Sequence, residues 1–544
     1  MSSAKILIRG SLLGRFIYRV SSRKYLGYKE ESKDYVIPEK YLEPYQKPEI
    51  DSSDESTLTL DKSKFIIVDW DGDDDPDHPN NWPIWIRIFV GLFISTLSAF
   101  VYMASAVYLP AIEELQDEFH IGHVVATLPL SLFVIAYGLG PLIFSPLSEH
   151  PSIGRNSLYV ITLVIFAILQ IPTALAKDIA SFCVLRFIGG IFASPALATG
   201  AATFADMYSL PYMPVGLALW GIGSFSGVSL GPLIGSALEV STHGWRWSFW
   251  FMLILSSFLA LAFATIIPET YHQTILAGKA ERLRRITGNP HIVLESDLHT
   301  HDKSPSEVLT EILWRSVEIG LREPVVVMIN LYIALLYAVM YLWFEGFPIY
   351  FAETKHFSTM ATGVAYVSII VGVALGAFLY IFLIFQDYTK PMLRKEKVHP
   401  EAFMRASIIG SIILPIGLFI FGWSATRDHH WIGAIIGAAI YGFAGIMMFQ
   451  TLLNYIGMSF HRYVASAFAS NAFLRSVVAG CFPLFGRAMF KNLSTSQFPV
   501  AWGSTILGII TIMMISVPVL FYLKGPKLRA SSKYSGTGRE GGNL

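Results

Sequence analysis

Charge and cysteine are scarce in this chain: of 544 residues, 15% are Asp, Glu, Lys or Arg and two are Cys, while 53% are hydrophobic. Soluble domains carry about a quarter charged residues, so the composition excludes a water-soluble enzyme of this length. Acidic and basic residues balance at 40 each, which removes the electrostatic case for a nucleic-acid partner. Cys183 and Cys481 both fall in apolar stretches and give neither a disulfide framework nor a zinc ligand set. No glycine-rich phosphate loop with its lysine occurs, so ATP-driven work by this chain is not expected. The 14 histidines include the pairs His120/His123 and His429/His430 at turns, with no carboxylate or cysteine framework around them, and no metal or other cofactor is expected. Nor is a cleavable leader expected, because the stretch from Met1 to Tyr45 mixes Arg9, Arg15 and Arg19 with apolar residues and lacks a long apolar core.

What is abundant is apolar sequence in runs of bilayer length. About 20 apolar residues at about 1.5 Å rise cross a hydrocarbon core of about 30 Å. Twelve such runs are read at residues 86–112, 124–147, 157–176, 179–207, 214–238, 246–267, 325–351, 361–386, 403–424, 430–455, 463–489 and 501–523. Barrel strands would be about ten residues long and alternating, so the fold class is an all-α membrane protein. Residues 1–85 read as a polar tail ending in DWDGDDDPDHPNNWP, whose Asp, Pro and Asn content favours turns over helix. Trp82 is expected at the membrane interface. Basic residues gather in the loops on one side, among them Lys279, Arg282, Arg284, Arg285, Lys303, Lys390, Arg394 and Arg462. The positive-inside bias then places both termini, including the second tail at 524–544, in the cytoplasm.

The longest connection, residues 268–324, divides six spans from six and holds the basic, helix-like GKAERLRRITG. Pro232-Leu233-Ile234-Gly235 in the fifth span is echoed by Pro483-Leu484-Phe485-Gly486 in the eleventh, and Pro110 by Pro348. Two six-helix bundles, 86–267 and 325–523, packed as parallel repeats around a central cavity, account for these echoes.

Few charges lie inside the spans: Arg186, Asp206, Glu345 and Arg475. Each costs about 2.5–3.5 kcal/mol at mid-bilayer on insertion scales, so each needs a partner, a wet cavity or a function. A carboxylic acid in low dielectric resists ionisation, which suits Glu345 to alternate between protonated and charged forms. Arg186 holds a fixed positive charge. Gly227, Gly231 and Gly235 share one face of the fifth span beside Pro232, a pattern for close helix approach and a kink. Tyr102, Tyr137, Trp220, Asn330, Tyr337, Tyr366, Tyr441, Gln450, Asn454 and Asn471 are candidates for a substrate cavity of mixed aromatic and amide character, a wall that accepts varied apolar ligands. Asn492-Leu493-Ser494 fits a glycosylation acceptor.

These residues resemble the major facilitator superfamily, and within it the fungal twelve-span drug:proton antiporters, over about residues 69–534. Gly140, Pro141, Glu149, Gly154 and Arg155 stand in its loop motif after the second span, with Glu149 in the usual aspartate's place and His150 replacing a basic residue. LRFIGG puts Arg186 at the arginine the family associates with proton coupling, and GVSLGPLIG matches its antiporter motif. DPDHPNNWP and Pro268-Glu269-Thr270 are typical of the fungal group. The resemblance implies a non-enzymatic, monomeric plasma-membrane exporter that exchanges protons for small amphipathic toxicants such as azoles and benzimidazoles. An importer of nutrients or polyamines on the same fold would differ in cavity chemistry and coupling sign; a membrane enzyme or receptor fits the six-plus-six layout poorly.

Overall fold

The computed structural model describes residues 3–21, 25–32, 34–42, 65–295, 305–460, 463–530, 532 and 534; Lys303 and Arg462 lie outside them. Among the described residues, twelve helices are long and apolar enough to cross a membrane: Ile84–Phe119, His123–Ser148, Gly154–Ala174, Ile179–Met207, Met213–Thr242, Arg246–Thr265, Pro324–Thr354, Thr359–Leu393, Pro400–Ser424, Ile432–Ser459, Val464–Asn492 and Ala501–Ala530. An even number puts both chain ends on one side, the terminal face; the opposite side is the far face.

Several spans are broken where the sequence removes a backbone donor. The first runs as α-helix over Ile84–Ala106 and gives way to a 3-10 turn at Leu109–Ala111, because Pro110 has no N–H for the Ala106 carbonyl. The fourth is interrupted at Ser194, just before Pro195, and the seventh passes at Pro348 into a π-helical turn, Pro348–Thr354. In contrast, the second span holds its helix through Pro129, Pro141 and Pro146 to Ser148. Gly140 and Pro141, members of the loop motif by resemblance, therefore lie in helix, as the 124–147 run requires, and only residues 149–153 connect to the third span.

Lipid offers no hydrophobic drive between helices, so close packing at small residues has to hold them. The two halves repeat the same pairings. In the first half the fifth span lies on the first: a Cβ on Gly227 would come 2.5 Å from the Ala99 carbonyl oxygen, and one on Gly235 would meet that of Val107. In the second half Gly486 of the eleventh span packs on Leu342 and Glu345 of the seventh. The second span meets the fourth where Gly190 faces Phe133, and the eighth meets the tenth where Gly442 faces Ile369. Two of the crossings between the halves are related by the same repeat: second on eleventh, where Gly138 meets Ser476, and fifth on eighth, where Gly363 meets Ser236 and the Pro232 carbonyl.

The DWDGDDDPDHPNNWP end of the N-terminal tail runs through turns as its composition reads, with a single 3-10 turn at Pro79–Asn81, while helices lie nearer the N-terminus. Ser3–Gly10 and Leu12–Val20 are helices, the second capped by Ser11 Oγ accepting from the Gly14 N–H at 3.0 Å. Tail and central loop form one layer on the terminal face: Ile66–Ile67 pairs in parallel with Ile292–Val293, and the GKAERLRRITG segment is a helix, His272–Thr287, closed by Gly288 at φ 70°. Lys29 bridges Asp71 and Asp75 at 2.8 and 2.7 Å, while Lys279 reaches Asp71 at 2.5 Å. Arg282 pairs with Glu30 at 3.2 Å and lies 3.6 Å over the Tyr28 ring. Trp82 is buried at the edge of this layer, beside Arg9, instead of facing lipid; Trp85, exposed one turn on, is the residue placed for an interfacial anchor. Of the two cysteines, Cys183 is buried and Cys481 faces outward.

Candidate functional site

Arg186 of the fourth span is buried, and its guanidinium donates to the carbonyls of Ala104 and Ser105 at 2.9 and 2.7 Å. Those carbonyls belong to the last turn of the Ile84–Ala106 helix, where the backbone ahead of Pro110 runs short of donors and the helix dipole is negative. Arg186 thus caps the first span within its own half, and the Phe133 ring lies 4.1 Å from the cation. Its fixed positive charge is spent on backbone carbonyls at a helix end and not on a carboxylate.

Arg475 of the eleventh span is equally buried but works across the seam. It donates to the Tyr102 hydroxyl of the first span at 3.3 Å and lies 5.0 and 5.2 Å from the ring centroids of Tyr337 and Phe449 in its own half. Around it the centre of the bundle is filled with aromatic side chains from both halves. Tyr102 meets Tyr137 edge-on with centroids 5.7 Å apart, Trp220 stacks on Phe449 at 5.9 Å, and Phe225 meets Tyr337 at 5.9 Å. Tyr341 bonds Tyr137 and Ser105 through its hydroxyl at 3.3 and 3.1 Å. Gln450 donates to the Leu217 carbonyl across the seam at 3.0 Å. Trp220 Nε1 and Arg475 Nε are buried without a hydrogen-bond partner; such donors carry a desolvation cost of about 1–3 kcal/mol that an acceptor on a guest molecule would relieve.

Five of the expected cavity residues, Tyr102, Tyr137, Trp220, Tyr337 and Gln450, therefore gather at the seam. The other five lie outside that cluster. Asn330 bonds Ser470 and Asn471 at 3.0 and 2.9 Å, Asn454 bonds Tyr380 at 3.1 Å, and Tyr441 donates to the Leu336 carbonyl, all inside the second half. Tyr366 donates to the Trp343 carbonyl at 3.1 Å and lines a cavity of about 600 Å³ that opens between the halves on the far face.

Glu345 lies on that same cavity. His123, the first residue of the second span, places Nε2 at 2.9 and 3.0 Å from its carboxylate oxygens, and Arg487 approaches to 3.8 Å. The carboxylate is thus held from both halves at once. Arg487 also pairs with Glu353 at 2.5 Å.

On the terminal face the charges close within the first half. Asp206 takes Arg155 in a two-point pair at 2.5 and 3.2 Å, while Glu149, exposed after the end of the second span, is not the carboxylate on that arginine. Glu269 accepts from the backbone N–H groups of Arg155 and Asn156 at 2.9 and 3.2 Å, a carboxylate on a helix N-terminus. Gly154 is required twice over: its φ is 71°, and a Cβ there would strike the Glu269 carboxylate. His272 ties the layer to the end of the fourth span by bonding the Asp206 carbonyl at 3.0 Å. The glycine face of the fifth span packs on the first span, so its contacts across the seam come from other sides of the helix, among them Ser236 and the Pro232 carbonyl against the eighth span. Asn492 is exposed at the far end of the eleventh span.

Tyr341, Phe225, Phe449 and Arg487 carry no role in the sequence reading, His123 reads only as turn polarity, and Glu269 only as part of the Pro268-Glu269-Thr270 ending. Tyr337, Tyr341 and Glu345 recur every four residues along one helix face, a readable signal; His123 and Arg487 carry none, since their value lies in reaching a residue more than a hundred positions away.

The sequence profile of the Major Facilitator Superfamily matches residues 94–483. The chain is 48% identical to the cycloheximide resistance protein of Candida maltosa over 97% of this chain and 99% of that one. It is 40% identical to fluconazole resistance protein 1 of Saccharomyces cerevisiae over 89% and 87% of the two chains. Among solved structures, the xylose transporter XylE of E. coli, in a partially occluded inward-open conformation, is similar at a TM-score of 0.54 and 17% identity, covering 80% of this chain and 99% of that one. At that identity the likeness concerns the fold.

Proposed function

We propose a proton-driven drug exporter as the function of this chain, which belongs to the major facilitator superfamily. The likeness along almost the whole chain to a protein named for cycloheximide resistance carries the export reading. The cargo is a small, largely uncharged amphipathic molecule, held at the seam by the aromatic cluster and by the free donors of Trp220 and Arg475. The terminal face, with the basic loops, is cytoplasmic, the membrane is the plasma membrane, and one chain suffices as a monomer. No covalent step is assigned.

Coupling runs through Glu345. From the far face a proton neutralises its carboxylate, and the attraction to His123 goes with it, so one of the ties between the halves on that side is released. Arg475, tied to Tyr102 across the seam, exchanges that hydroxyl for the cargo as the halves rock. Arg186 holds the end of the first span while this happens.

Cells expressing the full chain and preloaded with tritiated cycloheximide or fluconazole test both parts. Export should be several-fold faster than in cells without it, and a protonophore should abolish the difference. Equal retention with and without the protein overturns export; export that survives collapse of the gradient overturns proton coupling.

A further inference from the structure

A cavity of about 1070 Å³ opens beside the first span on the terminal face, lined by none of the residues of the central cluster. Ile88, Leu219 and Ile381, on the first, fifth and eighth spans, bring it to membrane depth at the seam between the halves, and the tail segment from Asp69 to Asn81 borders it on the terminal side. Tyr208 packs flat on Phe204 and rests against Gly216, where a Cβ would approach its ring to 2.9 Å. Trp70 and His78, ring centroids 4.6 Å apart, supply a second aromatic wall. Arg87 lies 5.6 Å over the Tyr208 ring, and its Nε is buried with no hydrogen-bond partner.

The charges select the guest. Asp69 and Asp73 stand against the single Arg87, and His78 is held below the ordinary histidine range, first by burial and then by the neighbouring His272, so it adds no charge at neutral pH. An anion is disfavoured by that balance. Arg87 Nε asks for an acceptor, the rings ask for a flat face, and the apolar floor asks for a hydrophobic body.

We propose that this cavity is an intake site that takes uncharged or weakly basic ring-containing amphipaths with a hydrogen-bond acceptor from the cytoplasmic leaflet, before they reach the seam. It rests on the export reading above. Leu219 of its floor is the chain neighbour of Trp220, which stacks on Phe449 in the central cluster, so the cavity adjoins the cluster along the fifth span. A site that gathers cargo but does not move it governs concentration dependence and leaves turnover alone.

Inside-out vesicles from cells expressing the full chain, acidic inside, are given tritiated cycloheximide over a range of concentrations. Arg87→Gln and Trp70→Ala should each raise KM at least fivefold with kcat within twofold of the unchanged protein. Val215→Cys, on the cavity wall, in a Cys481→Ser background should react with a maleimide at least threefold more slowly under saturating cycloheximide. KM values within twofold of the unchanged protein overturn the proposal, as does labelling indifferent to cycloheximide. A phospholipid that copurifies with the protein and is lost from Arg87→Gln while KM stays put also overturns it, making the cavity a lipid seat. If the unchanged protein takes up no cycloheximide, the export reading fails, and protection of Val215→Cys still judges the cavity, because it needs no transport.

Discussion

Arg186 and Arg475 are both buried arginines in mid-span, one per half, and they solve the cost of a charge in lipid differently. Arg186 spends its guanidinium on two carbonyls at the end of the first span, entirely within the first half. Arg475 makes one long bond to a tyrosine of the opposite half and rests on two rings; both arginines leave Nε without a hydrogen-bond partner. A charge satisfied by its own half travels with that half as a rigid body. A charge shared across a moving seam changes partners when the seam opens. The same division separates the two faces: Arg155, Asp206 and Glu269 close within the first half, whereas Glu345 is held by His123 from one half and Arg487 from the other.

The sharpest test exchanges the two arginines for alanine. Arg186→Ala strands two buried carbonyls, on the order of 2–5 kcal/mol in total, so thermal unfolding in detergent should show a marked drop together with lost export. Arg475→Ala should unfold near the unchanged protein, because Tyr102 keeps Tyr337 at 3.4 Å, yet lose at least tenfold in export. Equal destabilisation of the two variants would erase the contrast.

Next is Glu345→Gln. It should reduce gradient-driven export at least tenfold while leaving exchange of labelled for unlabelled drug, which needs no net proton movement; loss of exchange as well would make Glu345 a structural residue. Paired glycines compare the halves directly. Gly235→Ala drives a methyl at the Val107 backbone oxygen, while Gly486→Ala meets the end of the Leu342 side chain at 2.6 Å, which can turn away. The first should cost about 1–3 kcal/mol and the second less than about 1 kcal/mol, read from unfolding curves.

The smallest effect concerns the layer on the terminal face. Burial raises the Asp71 and Asp75 carboxyls, but Lys29, joined at Asp71 by Lys279, outweighs it and holds both below the usual aspartate range. Groups with depressed folded values stabilise above the unfolded value and lose that contribution as pH falls through the folded one. The contribution of Asp71 and Asp75 to docking of the tail should therefore be unchanged from pH 8 to 5 and weaken only below about 4, the unfolded aspartate value, as read by protease cleavage between Asp71 and Asp75 in a His78→Gln background, because His78, held low by burial and His272, itself opposes docking below about 6.5. Release near neutral pH would contradict these ion pairs.

Much of the architecture was legible because lipid imposes it. Length and apolarity place most span ends to within about four residues, although the first, eighth and twelfth helices run on to Phe119, Leu393 and Ala530, and the Pro232 and Pro483 echoes reflect pairings that the two halves do repeat. The site was only half legible. Asn330, Tyr441, Asn454 and Asn471 have the composition of a ligand wall and are occupied inside one half, while His123 looks like turn polarity and holds Glu345. Trp82 has the chemistry of an interfacial anchor and is buried by a tail whose helices its polar composition concealed.

By itself the sequence determined that this chain spans a membrane twelve times in two related bundles, since every unpaired backbone group in lipid must be met within its own helix and that demand is written in local composition. Which half satisfies each buried charge was decided only by the tertiary structure. Partners such as Arg186 with Ala104, or His123 with Glu345, lie far apart in the chain and meet through helix packing that no local pattern encodes.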